Sequence, residues 1–273
     1  MKKGGLGAAG LALATLLSSS AALADGIALD PARDLFVTLT GATLWIVSEV
    51  NKPTFAPAAC RWCAVDPLDA AVRSALVWSP SRIGEADTAG NVVGFGVVPA
   101  SAAALILAAA AHDGHLDQAP ADVLVIAEAG VLAMDLDQVT KFAVGRQRPF
   151  VHFHTGSGDP SDDDLSFFSG HTTAAFSLAV AGGTVATMRG YRLAPWVWAQ
   201  GLALGVATGY LRIAADKHYF TDVLTGALVG SAVGFAVPYA WHHATTSGGS
   251  APPVVVGASA ARAGAMVSLR TEW

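Results

Sequence analysis

Three short blocks of the sequence contain residue types that can do chemistry on a phosphate group. In chain order they are Lys141 and Arg148, then Ser169, Gly170 and His171, then Arg212, His218 and Asp222. Cations hold and neutralise phosphate oxygens, and a histidine can attack phosphorus when another group orients it. Together the three blocks predict phosphoryl transfer to histidine.

The third block pairs a nucleophile with the group that orients it. His218 and Asp222 lie four residues apart, so the carboxylate can accept the Nδ1 proton of the imidazole if a helix begins near Phe220. That hydrogen bond leaves Nε2 as the lone-pair donor and stabilises the cation that forms on attack. Arg212 lies six residues before His218 and is placed to bind phosphate oxygens.

The second block opens an apolar run. Ser169 can cap a helix, and the backbone N–H groups of Gly170 and His171 can face an anion. Glycine allows the phosphate to approach the backbone closely. At the mouth of such a pocket, a protonated His171 could give its proton to a departing alkoxide.

The first block places two cations on one helix face. Lys141 and Arg148 are seven residues apart, or about two helical turns, and Pro149 ends the helix directly afterwards. Taken alone, each residue has an ordinary explanation, such as a lysine that extends toward solvent. Their joint occurrence in three blocks favours a phosphate site.

The order and separation of the blocks resemble a known signature. Lys-x6-Arg-Pro, Ser-Gly-His and Arg-x5-His-x3-Asp are similar to the motifs of the type 2 phosphatidic acid phosphatase and vanadium haloperoxidase superfamily. The resemblance covers roughly residues 92–241. It implies an all-α helical bundle of that type in which His218 forms a phosphohistidine, Asp222 orients it and His171 protonates the leaving group. It also implies a set of phosphate-binding residues, which are Lys141, Arg148, Ser169, Gly170 and Arg212.

Two positions depart from the signature. Phe168 stands where the family usually has proline before Ser-Gly-His, and Leu211 stands where it usually has serine before the third-block arginine. Phe168 changes only the shape of a turn. Leu211 removes a hydroxyl beside the phosphate and leaves Ser169 as the motif hydroxyl.

The composition indicates an apolar, helical protein. The mean hydropathy is +0.47, and helical patterns without strand alternation predict an all-α bundle. Four uncharged runs approach the ~20 residues that span a bilayer, and they cover 92–111, 172–188, 195–211 and 223–240. The runs are either membrane spans or buried helices.

Four segments are predicted along the chain. Residues 1–24 have the charged, apolar and small-residue parts of a secretory signal peptide, and an uncleaved anchor helix is the alternative. Residues 25–90 form an N-terminal extension, 91–243 the phosphatase core, and 244–273 a tail whose last part could form a small hairpin.

The net charge and the predicted signal peptide limit where the protein is located and which partners it has. A net charge of −5 argues against nucleic acid as a partner. We expect an exported protein in the inner membrane, with its site facing the periplasm and with Arg189 and Arg192 in an inner turn. A soluble periplasmic protein is the alternative.

Cys60 and Cys63 have the spacing of a redox motif, half a zinc site or a tight disulfide. With no second cysteine pair in the sequence, we predict a disulfide that pins a loop and takes no part in catalysis. No metal site is predicted from the scattered histidines. The acidic run 162–164 is predicted to lie on a solvated loop at the pocket rim.

The predicted function is a metal-independent phosphatase that hydrolyses a phosphomonoester or diphosphate through a phosphohistidine. Its substrate would be a phosphorylated lipid or a small organic phosphate, and it would need no cofactor. The alternatives are a soluble periplasmic acid phosphatase and a vanadate-dependent haloperoxidase, in which the same residues would hold vanadate.

Overall fold

The structure is a computed structural model. It describes residues 26–156 and 159–243, together with the backbone of 255–261 and 264–270. The predicted signal peptide lies outside the described residues.

The described part of the chain up to His243 is helical, which confirms the predicted all-α class. The ten α-helices are α1 (Pro31–Val50), α2 (Lys52–Phe55), α3 (Pro67–Leu76), α4 (Ile83–Asn91), α5 (Val98–His112), α6 (Ala119–Val144), α7 (Pro149–His152), α8 (Gly170–Met188), α9 (Ala194–Ala214) and α10 (Phe220–Ala236). Helix α4 runs into α5 through a π-helical turn, Val92–Val97, and a second π-helical turn, Val237–Trp241, extends α10.

Helix α8 is the centre of the bundle and packs against α6, α9 and α10. Glycines at every fourth position of α10 let its backbone touch that of α8: a Cβ on Gly226 would lie 2.8 Å from the Ser169 carbonyl oxygen, and one on Gly234 would lie 2.5 Å from that of Ser177. Because the two helices begin side by side, the Ser169 N–H donates to the Asp222 carbonyl at 3.1 Å. Close packing therefore aligns the starts of the second and third motif blocks.

The helices of the predicted N-terminal extension pack onto this bundle. Helix α1 lies against α6, and α3 contacts α9 and α10. A partly buried ion pair holds α3 against the bundle, since Arg73 donates to both carboxylate oxygens of Asp216 at 2.6 Å.

Large apolar side chains face outward on several helices. Examples are Phe36 on α1, Val139 on α6, Val206 on α9 and Leu228 on α10, each with 63–70% of its surface exposed. Among the described residues, two stretches are long and apolar enough to cross a membrane, Ile83–His112 and Phe220–Trp241. By contrast α8 is buried for most of its length, so the 172–188 run is a core helix of the bundle.

The chain from Ala244 to Trp273 forms a separate compact unit. Two strands, β1 (Val255–Ala261) and β2 (Gly264–Arg270), pair antiparallel with Val255 opposite Arg270. This is the hairpin suggested by the sequence.

Candidate active site

A cavity of about 250 Å³ opens where α6 and α9 end and α8 begins. Six of the eight predicted catalytic and phosphate-binding residues line it: Lys141, Arg148, Gly170, His171, Arg212 and His218. Ser169 and Asp222 lie behind the wall and are fully buried. The three blocks thus meet at one end of the bundle.

His218 lies in the loop between α9 and α10 and is held in one orientation. Its Nδ1 lies 2.8 Å from the carbonyl oxygen of Ser166, and its Nε2 lies 3.2 Å from Nη1 of Arg148. A carbonyl can only accept, so Nδ1 carries the proton and Nε2 carries the lone pair. Burial, together with the guanidinium groups of Arg148 and Arg212, lowers the pKa of His218 well below its usual range. The imidazole is therefore neutral and ready to act as a nucleophile.

Asp222 does not make the predicted hydrogen bond to His218. Helix α10 begins at Phe220, as the spacing requires, but the Asp222 carboxylate lies 3.8 Å from Nδ1. The carboxylate instead accepts from the Ser166 hydroxyl at 2.6 Å and from the Tyr219 N–H at 2.9 Å. The Ser166 carbonyl occupies the position predicted for the carboxylate, and Ser166 connects the two groups, since its hydroxyl donates to Asp222 and its carbonyl accepts from His218.

Each of the three predicted phosphate-binding cations is paired with a carboxylate. The pairs are Lys141 with Asp137 at 2.8 Å, Arg148 with Asp162 at 2.8 Å, and Arg212 with Asp87 at 2.8 Å. Asp137 is fully buried, whereas Asp162 and Asp87 are more than a quarter exposed. Burial alone would raise the pKa of Asp162, but Arg148 and Lys52 outweigh it and lower that pKa to about 2. This carboxylate lies on the acidic loop predicted to form the rim, so in the free site it is the partner of the Arg148 guanidinium.

His171 lies across the cavity in the first turn of α8. Its Nε2 lies 2.7 Å from the side-chain oxygen of Asn91, and its ring stands 4.1 Å from that of Phe95. Burial and the nearby cations, Arg212 first among them, lower the pKa of His171 well below its usual range. In the free site the imidazole is therefore neutral, and it needs a source of protons to act as an acid.

Ser169 and Gly170 shape the wall between the two histidines. Ser169 stands at the N-cap position of α8, but its side chain does not make the predicted capping hydrogen bond, because its hydroxyl pairs with that of Thr172 at 3.0 Å. Gly170 leaves room for the lysine: a Cβ there would lie 2.7 Å from Oδ2 of Asp137 and 2.9 Å from Nζ of Lys141. The absent side chain leaves room for this ion pair, whose lysine lines the cavity.

We therefore expect Gly170→Ala to displace the Lys141 ammonium and lower kcat/KM on the order of 10²-fold, because small misplacements of a positioning group cost this much. Steady-state phosphate release measures the effect. Gly84→Ala is the matched control, since a Cβ at Gly84 meets nothing within 4 Å. Equal rates for the two variants would mean that the lysine position does not matter.

The cavity also contains residues that sequence reasoning missed. Lys52, Asn91 and Lys217 line it, and Lys52 lies 3.2 Å from Asp162. Lys52 and Asn91 precede the motif blocks by many residues, so no spacing pattern connects them with the site. Lys217 is adjacent to His218, and its position next to the predicted nucleophile is the one signal in the sequence.

Cys60 and Cys63 form a disulfide, with their Cα atoms 5.6 Å apart. The loop they close lies on the turn after α6. Arg61 donates to the carbonyls of Phe142 and Ala143, and the Gln147 N–H donates to the Trp62 carbonyl at 3.1 Å. The disulfide loop thus supports the turn that carries Arg148.

Away from the cavity, one group of described side chains has the spacing of a cation site: Asp34, Glu128 and His242. His242 directly follows the π-helical turn that extends α10, and Asp222 lies at the opposite end of that helix. Its Nε2 is 3.1 Å from Glu128, and its Nδ1 is 3.0 Å from the Ala28 carbonyl. These contacts join the N-terminal segment to α6 and to the end of α10.

The chain was compared with known proteins. Residues 122–246 match the sequence model of the PAP2 superfamily. An undecaprenyl-diphosphatase of Sulfolobus acidocaldarius is 31% identical over 106 residues, which are 38% of this chain and 48% of the relative. The chain therefore spans about half the length of this curated relative. No solved structure gave a significant match.

Proposed function

We propose that this chain belongs to the PAP2 superfamily, because residues 122–246 match the sequence model of that family and the three motif blocks resemble its signature. The protein is a phosphatase that forms a phosphohistidine at His218. One observation carries this proposal: a neutral imidazole, with its lone pair fixed on Nε2, lines the same cavity as Lys141, Arg148 and Arg212.

The reaction proceeds in two displacements. In the first, Nε2 of His218 bonds to phosphorus while the bond from phosphorus to the leaving oxygen breaks, and His171 gives that oxygen a proton. In the second, water attacks phosphorus, the N–P bond returns its electron pair to Nε2, and His171 accepts the proton of the water. The three cations neutralise the phosphoryl oxygens in both transition states.

Substrate binding supplies the proton that His171 needs. The cations that keep the free imidazole neutral are offset by the negative charge of a bound phosphate, and a singly protonated phosphate brings a proton with it. His171 thus becomes an acid when substrate enters the site.

A lipid-linked phosphate or diphosphate is the proposed substrate class. The curated relative is described as an undecaprenyl-diphosphatase, and the outward apolar faces of α1, α6, α9 and α10 fit a bilayer. Lys52 and Lys217 add two cations to the cavity beyond the three that one phosphoryl group needs. They are placed to bind the second phosphate of a diphosphate.

The site is proposed to face the periplasm in an exported membrane protein. Helix α8 begins at the cavity and ends at Met188, and Arg189 and Arg192 follow directly. If these arginines lie on the cytoplasmic side, as the positive-inside rule favours, the cavity lies on the other side of the membrane.

Phosphate release from detergent-solubilised full-length protein tests the substrate class. We expect a polyprenyl diphosphate to give a higher kcat/KM than a polyprenyl monophosphate, and both to exceed p-nitrophenyl phosphate. A protein that appears in the soluble fraction and prefers p-nitrophenyl phosphate would instead be a soluble acid phosphatase.

Metal removal gives a further prediction. Millimolar EDTA should leave the rate unchanged because fixed cations take the place of a metal, and orthovanadate should inhibit because it copies the transition-state geometry. Activity that is lost in EDTA and restored by a divalent ion would overturn metal independence. Bromide oxidation with vanadate and peroxide would point to the haloperoxidase.

A further inference from the structure

Arg146 is a fully buried cation that the three motif blocks do not include. Its side chain is 1% exposed. The guanidinium carbon lies 4.0 Å from the centre of the Trp62 ring and 4.3 Å from that of the Tyr219 ring. A planar guanidinium between two aromatic faces is held in a single plane.

In this orientation the guanidinium donates to two carboxylates. Nη1 donates to Asp222 at 2.5 Å, and Nη2 donates to Asp69 on α3 at 2.6 Å. Asp69 also accepts from the N–H and the hydroxyl of Thr221, at 2.9 and 2.7 Å, in the first turn of α10. The three charged side chains therefore form one chain of contacts that ends beside His218.

The charges of these three side chains match the proposed reaction. Two carboxylates and one guanidinium carry a net charge of −1 in a site closed to water. Phosphorylation of Nε2 leaves the Nδ1 proton in place, so the imidazole ring becomes positive. The buried group as a whole then becomes neutral, and an opposite charge that is already in place stabilises the ring cation.

We propose that Arg146 and Asp69 are positioning residues that act on His218 through Asp222. Arg146 fixes the Asp222 carboxylate at the distance from which it stabilises the phosphohistidine cation, and Asp69 fixes Arg146. This inference rests on the proposed phosphohistidine mechanism. It extends the catalytic machinery to α3, which precedes the segment 122–246 that matches the family.

A pair of variants on the same helix tests the proposal. Asp69→Asn keeps the shape of the side chain but removes the charge that holds Arg146. Arg73→Gln, four residues on, breaks the other ion pair of α3, which is partly buried and joins Arg73 to Asp216 rather than to Asp222. We expect Asp69→Asn to lower kcat about 10- to 100-fold, the usual range for groups that support a reacting side chain, with KM unchanged. Arg73→Gln should keep the parental kcat.

The stopped-flow rate of phosphoenzyme formation adds a readout that a purely structural role would not move. This rate should fall with kcat in Asp69→Asn. Arg146→Lys should form the phosphoenzyme more slowly than the parent but faster than Arg146→Gln, because lysine keeps the positive charge but lacks the planar pair of N–H donors of arginine. Parental rates in Asp69→Asn, or an equal loss in Arg73→Gln, would overturn the inference. A parent protein that releases no phosphate would refute the proposed function itself.

Discussion

Replacement of His218 by alanine is expected to abolish phosphate release, with a loss in kcat on the order of 10⁶-fold, as for the removal of other catalytic nucleophiles. The buried imidazole carries its lone pair on Nε2, which faces the cavity and accepts from Nη1 of Arg148. Nε2 of His171, the other imidazole there, donates to the side-chain oxygen of Asn91, so it carries a proton and cannot take the place of His218.

His152→Ala is the matched control because His152 is an exposed histidine on α7. It should hydrolyse substrate at the parental rate. Circular dichroism of both variants confirms that they are folded. A folded His218→Ala protein with a rate near that of the parent would rule out the histidine mechanism.

Replacement of Asp222 by asparagine has the second largest expected effect, a decrease in kcat of about 10²- to 10³-fold. This is less than the ~10⁴-fold loss seen where a carboxylate alone sets the tautomer of a catalytic histidine. Here the Ser166 carbonyl accepts the Nδ1 proton, so the tautomer survives the substitution. What is lost is the charge that stabilises the phosphohistidine and binds Arg146.

Asp122→Asn separates catalysis from stability in this experiment. Asp122 is another fully buried aspartate, bound to Arg189 and Tyr191 at 2.7 Å, and it lies in the first turn of α6, at the other end of that helix from Lys141. Thermal denaturation should show a lower Tm for both variants, whereas kcat should fall in Asp222→Asn alone. A full 10⁴-fold loss in Asp222→Asn would show that the carboxylate, and not the Ser166 carbonyl, holds the imidazole.

The sequence predicts the site where residues close in the chain share one element or one turn. The four-residue separation of His218 and Asp222 correctly requires a helix that starts at Phe220. Lys141 and Arg148 both line the cavity, but the prediction that they share one helix face is wrong, because α6 ends at Val144 and Arg148 lies in the turn before α7. The apolar runs likewise predict the helices, because they are long and lack the alternation of apolar and polar residues that a half-buried strand shows. The run 172–188 is typical of a membrane span and of a buried helix alike, and packing shows that it lies at the core of the bundle.

The contacts that sequence reasoning missed all depend on distant parts of the chain. The carbonyl of Ser166 displaces the Asp222 carboxylate from Nδ1, and a backbone group leaves no trace in residue types. Asp69 and Asn91 reach the site from helices placed by tertiary packing. Arg146 lies between Lys141 and Arg148 but is not part of their motif, and its residue type gives no sign that the rings of Trp62 and Tyr219 enclose it.

Trapping of the phosphoenzyme tests the central claim most directly. Full-length protein is mixed with a polyprenyl diphosphate, quenched in base within one turnover, and digested for peptide mass spectrometry. The account predicts one phosphoryl group on the peptide that contains His218, stable in base and labile in acid, and absent from His218→Ala. Phosphorylation of another residue, or turnover by the parent protein with no phosphorylated peptide, would contradict it.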